Sequence, residues 1–552
     1  MLVVVVTGRN EAARWRAEAE RWRAEAERLE ADNAVLRARV GDLEGQVAAL
    51  AEKVATLAKL VFGASSEKEK RPEPETGNNA DGGEGGKRRR RGQQRGSKGH
   101  GRRDYSGVET IEVVHDLPED QRVCPECGAA YVAFGEESCE QIDWEVRIVR
   151  IVHRRPTYRR GCACRVPGVL AAPVPPKPIS KGRFTAQFLA RLLVEKYVLG
   201  LPLERIVAAL GGDGLEVPKG TLVGALKALL DLLAPLDAAI RARNAAAGHL
   251  HVDETSWRVF EEVAGKENNR WWLWTFVGPD TVVFMIDATR STKVVADHLG
   301  IDVDAGALEA GRRLLISSDF YTVYQSLAAV EGLDPLWCWA HIRRYFIRAA
   351  DAHKALRPWA DEWLERIKAL YVAHRALNAA GAGSAEHARA QADYAGALHA
   401  LNVARQAQGA DETLHPRAAK VLATLDHEWE GLARHQSFSE LPLDNNAAER
   451  ALRGPVVVRK NCYGSGSKWA AELAASTWTI TATAARAGCN PLAYLRCYLD
   501  ACATAGGKAP SGEALEAFLP WSATESDLAA WRDPPGGPAQ PGGPAPPGGP
   551  AP

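Results

Sequence analysis

The chain has 552 residues, which is too long for one hydrophobic core, so we expect roughly three to five structural units. It has 69 basic and 69 acidic residues, so overall charge gives no argument for nucleic-acid binding, although basic residues are locally concentrated. No apolar run is long enough for a signal peptide or a membrane span. We therefore predict a soluble, cytoplasmic protein in which clustered cysteines bind a metal rather than form disulfides.

A heptad repeat occupies residues 11–62. An apolar residue recurs at every seventh position from Trp15 to Leu57, and alanine, valine or Asn33 stands three positions before each one. Leucine at d, valine at a and a single polar residue at a favour a parallel two-stranded coiled coil. We predict that the chain forms a homodimer, or a higher oligomer, through this segment. The alternative is a solitary amphipathic helix that packs against its own domain.

Residues 63–104 have no apolar periodicity and are rich in Gly, Glu, Pro and Asn, which predicts a disordered linker. The linker ends in a basic run that contains no acidic residue. Such a run binds a polyanion backbone by counterion release and carries little sequence information. We predict that the run contacts DNA, with a solubilising linker as the alternative. Its central residues are Arg88, Arg89, Arg90 and Arg91.

Two cysteine pairs lie within residues 105–178, and the alternating stretch 142–150 between them predicts a strand. This arrangement suits a tetrahedral four-thiolate site for one structural Zn²⁺ in a zinc ribbon. The second pair is spaced CxC instead of the usual CxxC, so Cys139 or His153 is an alternative ligand. The four predicted ligands are Cys124, Cys127, Cys162 and Cys164.

Helical periodicity follows a proline-rich boundary and predicts three helices within residues 179–245. They are expected at 184–198, at 203–210 and from 219 to about 233. The turn between the last two and the polar start of the third resemble a helix-turn-helix DNA reader, in which Lys219 contacts DNA. The alternative is a plain helical connector.

From residue 246 the pattern changes to strands, and one strand-like apolar run contains a carboxylate, Asp253. A charge in such a run is costly unless it is paired or binds a metal. The order of elements is β-β-β-α-β, which describes an RNase H-like sheet whose fourth strand lies parallel to and beside the first. Asp319, at the end of that fourth strand, would then share divalent metal ions with Asp253. The predicted elements are strands at 249–260, 270–277, 281–287 and 313–319 and a helix at 292–299.

A third carboxylate is needed, and the clearest candidate is Glu449, in a helix that Asp444 can cap. Asn445, Glu449 and Arg453 share one face of that helix at i, i+4 spacing. Glu449 would bind metal while basic residues beyond it hold phosphate. The phosphate-binding candidates are Arg453, Arg459 and Lys460.

Other acids compete for the role of third ligand, namely Glu254, Asp287 and Asp444. Glu254 should point to the opposite face of its strand from Asp253, because successive side chains alternate along a strand. His341 lies where a polar helix begins, and it is either a proton-transfer or DNA-contacting group near the active site or a structural histidine. Arg344 on the same helix is expected to contact DNA.

Four motifs together resemble the insertion-sequence-sixty-six family of bacterial DDE transposases. The cysteine region and residues 178–203 also resemble segments of that family, and the resemblance extends from about residue 99 to residue 500. The motifs are Asp253-Glu254-Thr255, Ser318-Asp319-Phe320-Tyr321-Thr322-Val323-Tyr324, Cys338-Trp339-Ala340-His341-Ile342-Arg343-Arg344 and Asp444-Asn445-Asn446-Ala447-Ala448-Glu449-Arg450.

The resemblance implies a transposase whose catalytic triad is Asp253, Asp319 and Glu449, with a helical insertion at about 341–440. Two Mg²⁺ or Mn²⁺ ions bound by the triad would activate water to cut transposon ends, and then the released 3′-hydroxyl to attack target DNA. The resemblance also suggests accessory proteins from the same element. One alternative is a non-catalytic, dimeric, zinc-containing DNA-binding regulator derived from such an enzyme. Another is a nuclease of the same fold that does not join strands.

The expected fold class is therefore a multidomain α/β chain. A coiled coil, a zinc ribbon and a helix-turn-helix-like region precede an RNase H-like domain at 246–455. A C-terminal helical region at 456–505 and a Pro/Gly-rich disordered tail at 506–552 complete the chain. When bound to DNA, the protein would be associated with the nucleoid.

Overall fold

The structure is a computed structural model. It describes residues 169–532 apart from short gaps at 263–265, 267, 303–305 and 309–310, together with 147–159, 161 and isolated positions between 14 and 130. The chain divides into two compact units, 1–137 and 138–552. Most of the heptad segment and all of the linker lie outside the described residues, so the coiled coil and the DNA-binding role of Arg88, Arg89, Arg90 and Arg91 stay predictions. None of the helices described is long and apolar enough to cross a membrane.

The predicted zinc region is described only in part. Cys127 and the alternative ligand His153 are both exposed, whereas Cys124, Cys139, Cys162 and Cys164 lie outside the described residues. The predicted strand at 142–150 is wrong at its end, since residues 147–150 have no regular structure. Strands instead flank the CxC segment. They are β1 (Thr157–Arg159) and β2 (Val169–Ala171), which pair antiparallel.

Three helical elements follow, in the order that the sequence predicts. The first contains a π-helical turn, Val194–Val198, and the third has 27 residues. The third was expected to end near residue 233, but its buried stripe continues beyond Pro235 to Leu236 and Ile240. Packing of that stripe outweighs the backbone hydrogen bond that an interior proline removes. The helices are α1 (Ala186–Leu193), α2 (Leu203–Gly212) and α3 (Lys219–Ala245).

A five-stranded mixed sheet follows α3, with strand order β5-β4-β3-β6-β7. The predicted parallel neighbour of the first strand is confirmed, because β3 and β6 pair in parallel while β3, β4 and β5 are antiparallel. The fifth strand was not predicted, since it contains an aspartate and a proline, and proline is tolerated mainly in edge strands. The strands are β3 (His249–Arg258), β4 (Arg270–Val277), β5 (Val282–Asp287), β6 (Leu314–Ser318) and β7 (Leu333–Trp337).

Helices surround the sheet and form the insertion that was expected at about 341–440. α4 (Thr292–Leu299) and α5 (Thr322–Leu327) lie between strands. In the insertion, Phe346 stacks on Trp363 with ring centroids 5.0 Å apart, and both side chains are fully buried. The helices of the insertion are α6 (Trp339–Ala352), α7 (Arg357–Ala379), α8 (Ala385–Gly409), α9 (Pro416–His427) and α10 (Trp429–Ala433).

Two helices after the insertion complete the sheet domain, α11 (Asn446–Cys462) and α12 (Lys468–Arg486). The expected domain boundary between 455 and 456 is wrong, because α11 continues through it. α12 covers the outer edge of β5, where the Thr479 and Thr483 hydroxyls accept hydrogen bonds from the backbone N–H groups of Phe284 (2.9 Å) and Val282 (3.1 Å). A covered edge strand cannot pair with another chain, so the sheet ends here.

The predicted disordered tail at 506–552 is wrong for its first part. Two short helices, α14 (Glu513–Glu516) and α15 (Glu525–Arg532), follow α13 (Pro491–Thr504). Trp531 is buried and its ring meets that of Tyr494 edge to face at 5.0 Å. The Pro/Gly repeat from residue 533 lies outside the described residues. The described chain is thus a mixed α/β fold with a helix-rich C-terminal region.

Candidate active site

Asp253 lies in the middle of β3, on a face that α11 covers. Its Oδ1 accepts a hydrogen bond from the backbone N–H of Glu254 at 2.8 Å. Burial raises the pKa of Asp253 to about 8, and three nearby carboxylates add to the rise. These carboxylates belong to Glu254, Asp319 and Glu449. The three acids of the predicted triad therefore belong to one acid cluster by their electrostatic interaction, and Glu254 is its fourth member.

Asp319 directly follows β6, the parallel neighbour of β3. The register pairs His251 with Ser317, and the His249 Nε2 lies 2.9 Å from the Ser317 hydroxyl, so the two strands are held together just before the acids. Asp319 Oδ1 accepts a hydrogen bond from the backbone N–H of Tyr321 at 3.0 Å. The crossover between β3 and β6 thus carries Asp319 toward Asp253, as the sequence predicts.

Asn445 anchors the start of α11 to β3. Its Nδ2 donates to the Val252 carbonyl at 2.7 Å, its Oδ1 lies 3.2 Å from His251 Nδ1, and its side chain is buried. The expectation that Asp444 caps this helix needs correction: Asn445 occupies the N-cap position, and Asp444 Oδ1 accepts from the Asn446 N–H at 3.1 Å. Anchoring residue 445 beside residue 252 places the first turn of α11 next to Asp253.

Glu449, on that first turn, pairs with a cationic side chain of α6 and lies near a histidine of the same helix. Arg344 Nη2 donates to Glu449 Oε1 at 2.7 Å, and His341 Nε2 lies 3.8 Å from the same oxygen. Burial, followed by the charge of Arg344, lowers the pKa of His341. Within the described residues, no group of three or more His, Cys, Asp or Glu side chains is arranged closely enough to hold a metal ion. Glu449 therefore lies in the acid cluster but is directed toward Arg344.

Glu254 lies in a different environment, on the other face of β3. Its side chain is 2% exposed and accepts hydrogen bonds from Arg290 Nε (2.8 Å) and from the Tyr324 hydroxyl. From the sequence, Tyr324 is named only as part of a motif and Arg290 is not named, because nothing local marks a lone arginine in a turn. A second competing acid, Asp287, accepts from the Thr289 N–H at 2.7 Å and closes that turn. Both acids are thus occupied by local partners.

The predicted DNA-binding side chains divide into exposed and occupied groups. Arg453 and Lys460 are exposed on α11. Arg459 instead turns inward, where its guanidinium donates to Thr255 Oγ1 at 2.9 Å and to the Ser256 carbonyl. Lys219, at the start of α3, forms an ion pair with Glu204 of α2. The i, i+4 line 445–449–453 therefore runs from the protein interior to solvent.

Comparison with known proteins identifies relatives over most of this region. Residues 181–473, which are 293 of the 552, match the family described as Transposase IS66 family, and this span contains all three clustered acids. The uncharacterized protein y4qI of Sinorhizobium fredii is 28% identical over 437 residues, 75% of this chain and 76% of that protein. A second uncharacterized protein of that organism, y4hP, is 25% identical over 413 residues, 70% of this chain and 71% of that protein. The chain belongs to the IS66 family of transposases.

Proposed function

We propose that this chain cuts and joins DNA at the ends of an insertion sequence, with Asp253, Asp319 and Glu449 as the catalytic acids of an RNase H-like core. The strand order of the sheet supports the core assignment, because β6 lies parallel to β3 after a helical crossover. Membership of a transposase family supports the reaction class. Phosphoryl transfer by this route needs no covalent enzyme intermediate, so no nucleophilic side chain is required.

One observation carries the proposal, namely the fixed start of α11. Asn445 binds the carbonyl of Val252, the residue before Asp253, so a helix from far along the chain begins beside the central strand. Glu449 follows four residues later, about one helical turn. Burial raises the pKa of Asp253, and the charges of Glu254, Asp319 and Glu449 add to the rise. Carboxylates that repel each other in this way indicate a site built to bind a cation.

The donor set fits Mg²⁺ or Mn²⁺, because it consists of carboxylate oxygens, which these hard cations prefer. Two such ions would make water, and later a 3′-hydroxyl, more nucleophilic and would stabilise the leaving oxygen. Asp253, Asp319 and Glu449 would hold them. Glu449 first has to exchange its ion pair with Arg344 for the metal ions.

The surrounding residues suggest how DNA is held. Arg344, once separated from Glu449, is placed to pair with a phosphate of the substrate. Arg453 and Lys460, which are exposed farther along α11, are proposed to contact the DNA backbone. The low pKa of His341 keeps its imidazole neutral near pH 7, so we propose that it accepts or donates one hydrogen bond beside the scissile phosphate.

The proposal is tested by Mg²⁺- or Mn²⁺-dependent cutting and strand transfer on labelled DNA that carries the element's ends. Asp253→Asn, Asp319→Asn and Glu449→Gln are each expected to abolish cutting while DNA binding survives. Asp287→Asn is the matched control, because this acid only closes a turn, and it should retain activity. If Glu449→Gln still cuts, the third metal ligand is a different residue, and Asp444 would be tested next. Binding without cutting under every metal and accessory-protein condition would favour a non-catalytic DNA-binding regulator.

A further inference from the structure

Tyr463, the residue that ends α11, has an unusual backbone for its type. Its φ is 63° and its ψ is −15°, and its N–H donates to the Arg459 carbonyl at 2.7 Å. Glycine normally fills this left-handed position, because a Cβ there crowds the following carbonyl. Among the described residues, only Lys181 and Tyr463 have positive φ without being glycine. Helix termination alone would favour glycine, so it does not explain the tyrosine side chain.

The loop that follows Tyr463 is fastened to the end of β3. Ser465 donates from its N–H to the Arg258 carbonyl and accepts from the Phe260 N–H, both at 2.9 Å, and its hydroxyl accepts from Trp257 Nε1 at 3.1 Å. Gly464 is required between them, since a Cβ there would collide with the Arg258 carbonyl oxygen. Backbone pairing between this loop and the end of β3 therefore fixes the position of Tyr463 on the surface.

Two aromatic side chains project into solvent from this pairing. Tyr463 is 71% exposed and Phe260 is 46% exposed, although rings of this size are usually covered in a folded protein. They lie on the two backbone segments that Ser465 joins. Exposed aromatic side chains on neighbouring, hydrogen-bonded backbone segments are a typical platform for stacking against a planar ligand.

The charge of the neighbouring helix indicates what the ligand is. The exposed face of α11 contains Arg450, Arg453 and Lys460, and the helix's one acid is Glu449, in the acid cluster at its other end. The exposed face of α11 contains no acid and is complementary to phosphate, although two exposed acids, Glu261 and Glu262, follow Phe260 on the other segment. Aromatic rings beside a basic track are typical of single-stranded nucleic-acid binding. This combination favours DNA over a protein partner.

We propose that Tyr463, assisted by Phe260, stacks on an unpaired base of the DNA strand that is cut, which rests on the proposed function. Glu449 and Tyr463 are separated by about 20 Å along α11, at about 1.5 Å per residue. DNA that follows the basic face of the helix reaches Tyr463 roughly six nucleotides from the scissile phosphate, at about 3.4 Å each. Because every base has an aromatic face, this contact tolerates any sequence.

The test uses Tyr463→Gly, which removes the ring and supplies the residue that the backbone prefers. Fluorescence anisotropy would measure the affinity of the full chain, with metal chelated, for a duplex that carries a single-stranded stretch six nucleotides from the cutting position. We expect the variant to melt at the same temperature or higher and to bind about tenfold more weakly. Tyr463→Phe should bind as the wild type does, and Phe260→Ala should lose less affinity than Tyr463→Gly.

Lys181→Gly is the matched control, since it relieves the other left-handed residue and also removes a positive charge. A 2-aminopurine base in the single-stranded stretch reports stacking directly, and its quenching should disappear only when residue 463 loses its ring. The proposal is overturned if Tyr463→Gly and Lys181→Gly weaken binding equally. It is also overturned if Tyr463→Gly leaves DNA affinity unchanged but reduces self-association, because the aromatic pair would then be a protein interface.

These readouts separate the inference from the proposed function. DNA affinity and 2-aminopurine quenching are measured without metal, so they need no cutting. A chain that binds, quenches and never cuts would contradict the catalytic proposal and support the stacking contact. A chain that cuts but shows no effect of Tyr463→Gly on binding or quenching would support the catalytic proposal and contradict the stacking contact.

Discussion

Asp253 and Glu254 are neighbours on β3, yet the strand turns them toward different surroundings. Glu254 is almost completely buried, which raises its pKa, but it pairs with Arg290 and accepts a hydrogen bond from the Tyr324 hydroxyl, and both contacts oppose that rise. No cation is among the groups that shift the pKa of Asp253: burial raises it to about 8, and the nearby carboxylates of Glu254, Asp319 and Glu449 add to the rise. Of these two acids on one strand, Glu254 forms an ion pair that supports the fold, whereas Asp253 pairs with no cation in the described part of the chain and is available to an external one.

The contrast between Glu254 and Asp253 is tested most strongly by replacing Arg290. Arg290→Met leaves the Glu254 carboxylate buried without its cation, and the matching side-chain volume keeps cavity effects small. We expect the free energy of unfolding to fall by about 3–5 kcal/mol, as for other broken buried pairs. Urea denaturation would measure it. A loss below about 1 kcal/mol would mean that the pair behaves as a surface ion pair and that the comparison is wrong.

Removal of the second partner of Glu254 should lower the free energy of unfolding by less than removal of Arg290. Tyr324→Phe deletes only the hydroxyl that donates to this carboxylate, while the buried ring remains. A hydrogen bond to a charged group contributes about 1.5–3 kcal/mol, which is the expected loss in the same denaturation experiment. Tyr345→Phe is the control, because its hydroxyl lies on a half-buried ring. If Tyr324→Phe leaves the free energy of unfolding unchanged, Arg290 alone is a sufficient partner for Glu254.

Asp253→Asn should have the opposite sign and stabilise the metal-free chain by about 1–2 kcal/mol at pH 5, since the wild-type carboxyl has to take up a proton when the chain folds. The pKa is 3.8 in the unfolded chain and about 8 in the fold, so the native state holds more protons between these values. Stability contributed by this group is therefore full below about pH 4 and is lost as pH rises toward 8.

The pH dependence provides a second readout for that variant. In chelator, the stability difference between Asp253→Asn and wild type should grow with pH, by up to about 1.4 kcal/mol per pH unit. Denaturation at pH 5, 6, 7 and 8 would measure the slope. If the two chains show parallel profiles, Asp253 is ionised throughout and the acid cluster is less repulsive than its surroundings indicate.

The smallest effect is expected at Arg344, which pairs with Glu449 where both side chains are about 30% exposed. Arg344→Met should change the free energy of unfolding by less than about 1 kcal/mol, because solvent screens the pair. The same substitution should weaken DNA binding, since the proposal gives this cation to a phosphate. A stability loss as large as that of Arg290→Met would place Arg344 among the structural ion pairs instead.

The sequence predicts the centre of this fold better than its edges. The strands around Asp253 and Asp319 follow from alternating apolar residues, and the handedness of the crossover makes them neighbours. β7 is not predicted, because Asp334 and Pro335 interrupt its run of apolar residues. The helices up to residue 532 are not predicted, because local composition does not show where the Pro/Gly-rich tail begins. Their order depends on packing, since the Trp531 ring contacts those of Tyr494 and Phe518.

The candidate site is predictable in its residue types and not in its pairings. Carboxylates in apolar strands are visible locally, so Asp253, Asp319 and Glu449 could be named from sequence. Partners that lie far away along the chain cannot be, and Arg344 and Glu449 are 105 residues apart. For the same reason the inward turn of Arg459 toward β3 has no local signal, since its contacts are 204 and 203 residues away.

The insertion between β7 and α11 also sets the order in which the site is made. The strands that carry Asp253 and Asp319 leave the ribosome first, and α11 follows only after five further helices have been synthesised. A product that stops between residues 320 and 445, through a frameshift, a nonsense codon or proteolysis, therefore has two of the proposed acids and lacks the third. On the proposed assignment, incomplete chains cannot cut the genome that encodes them.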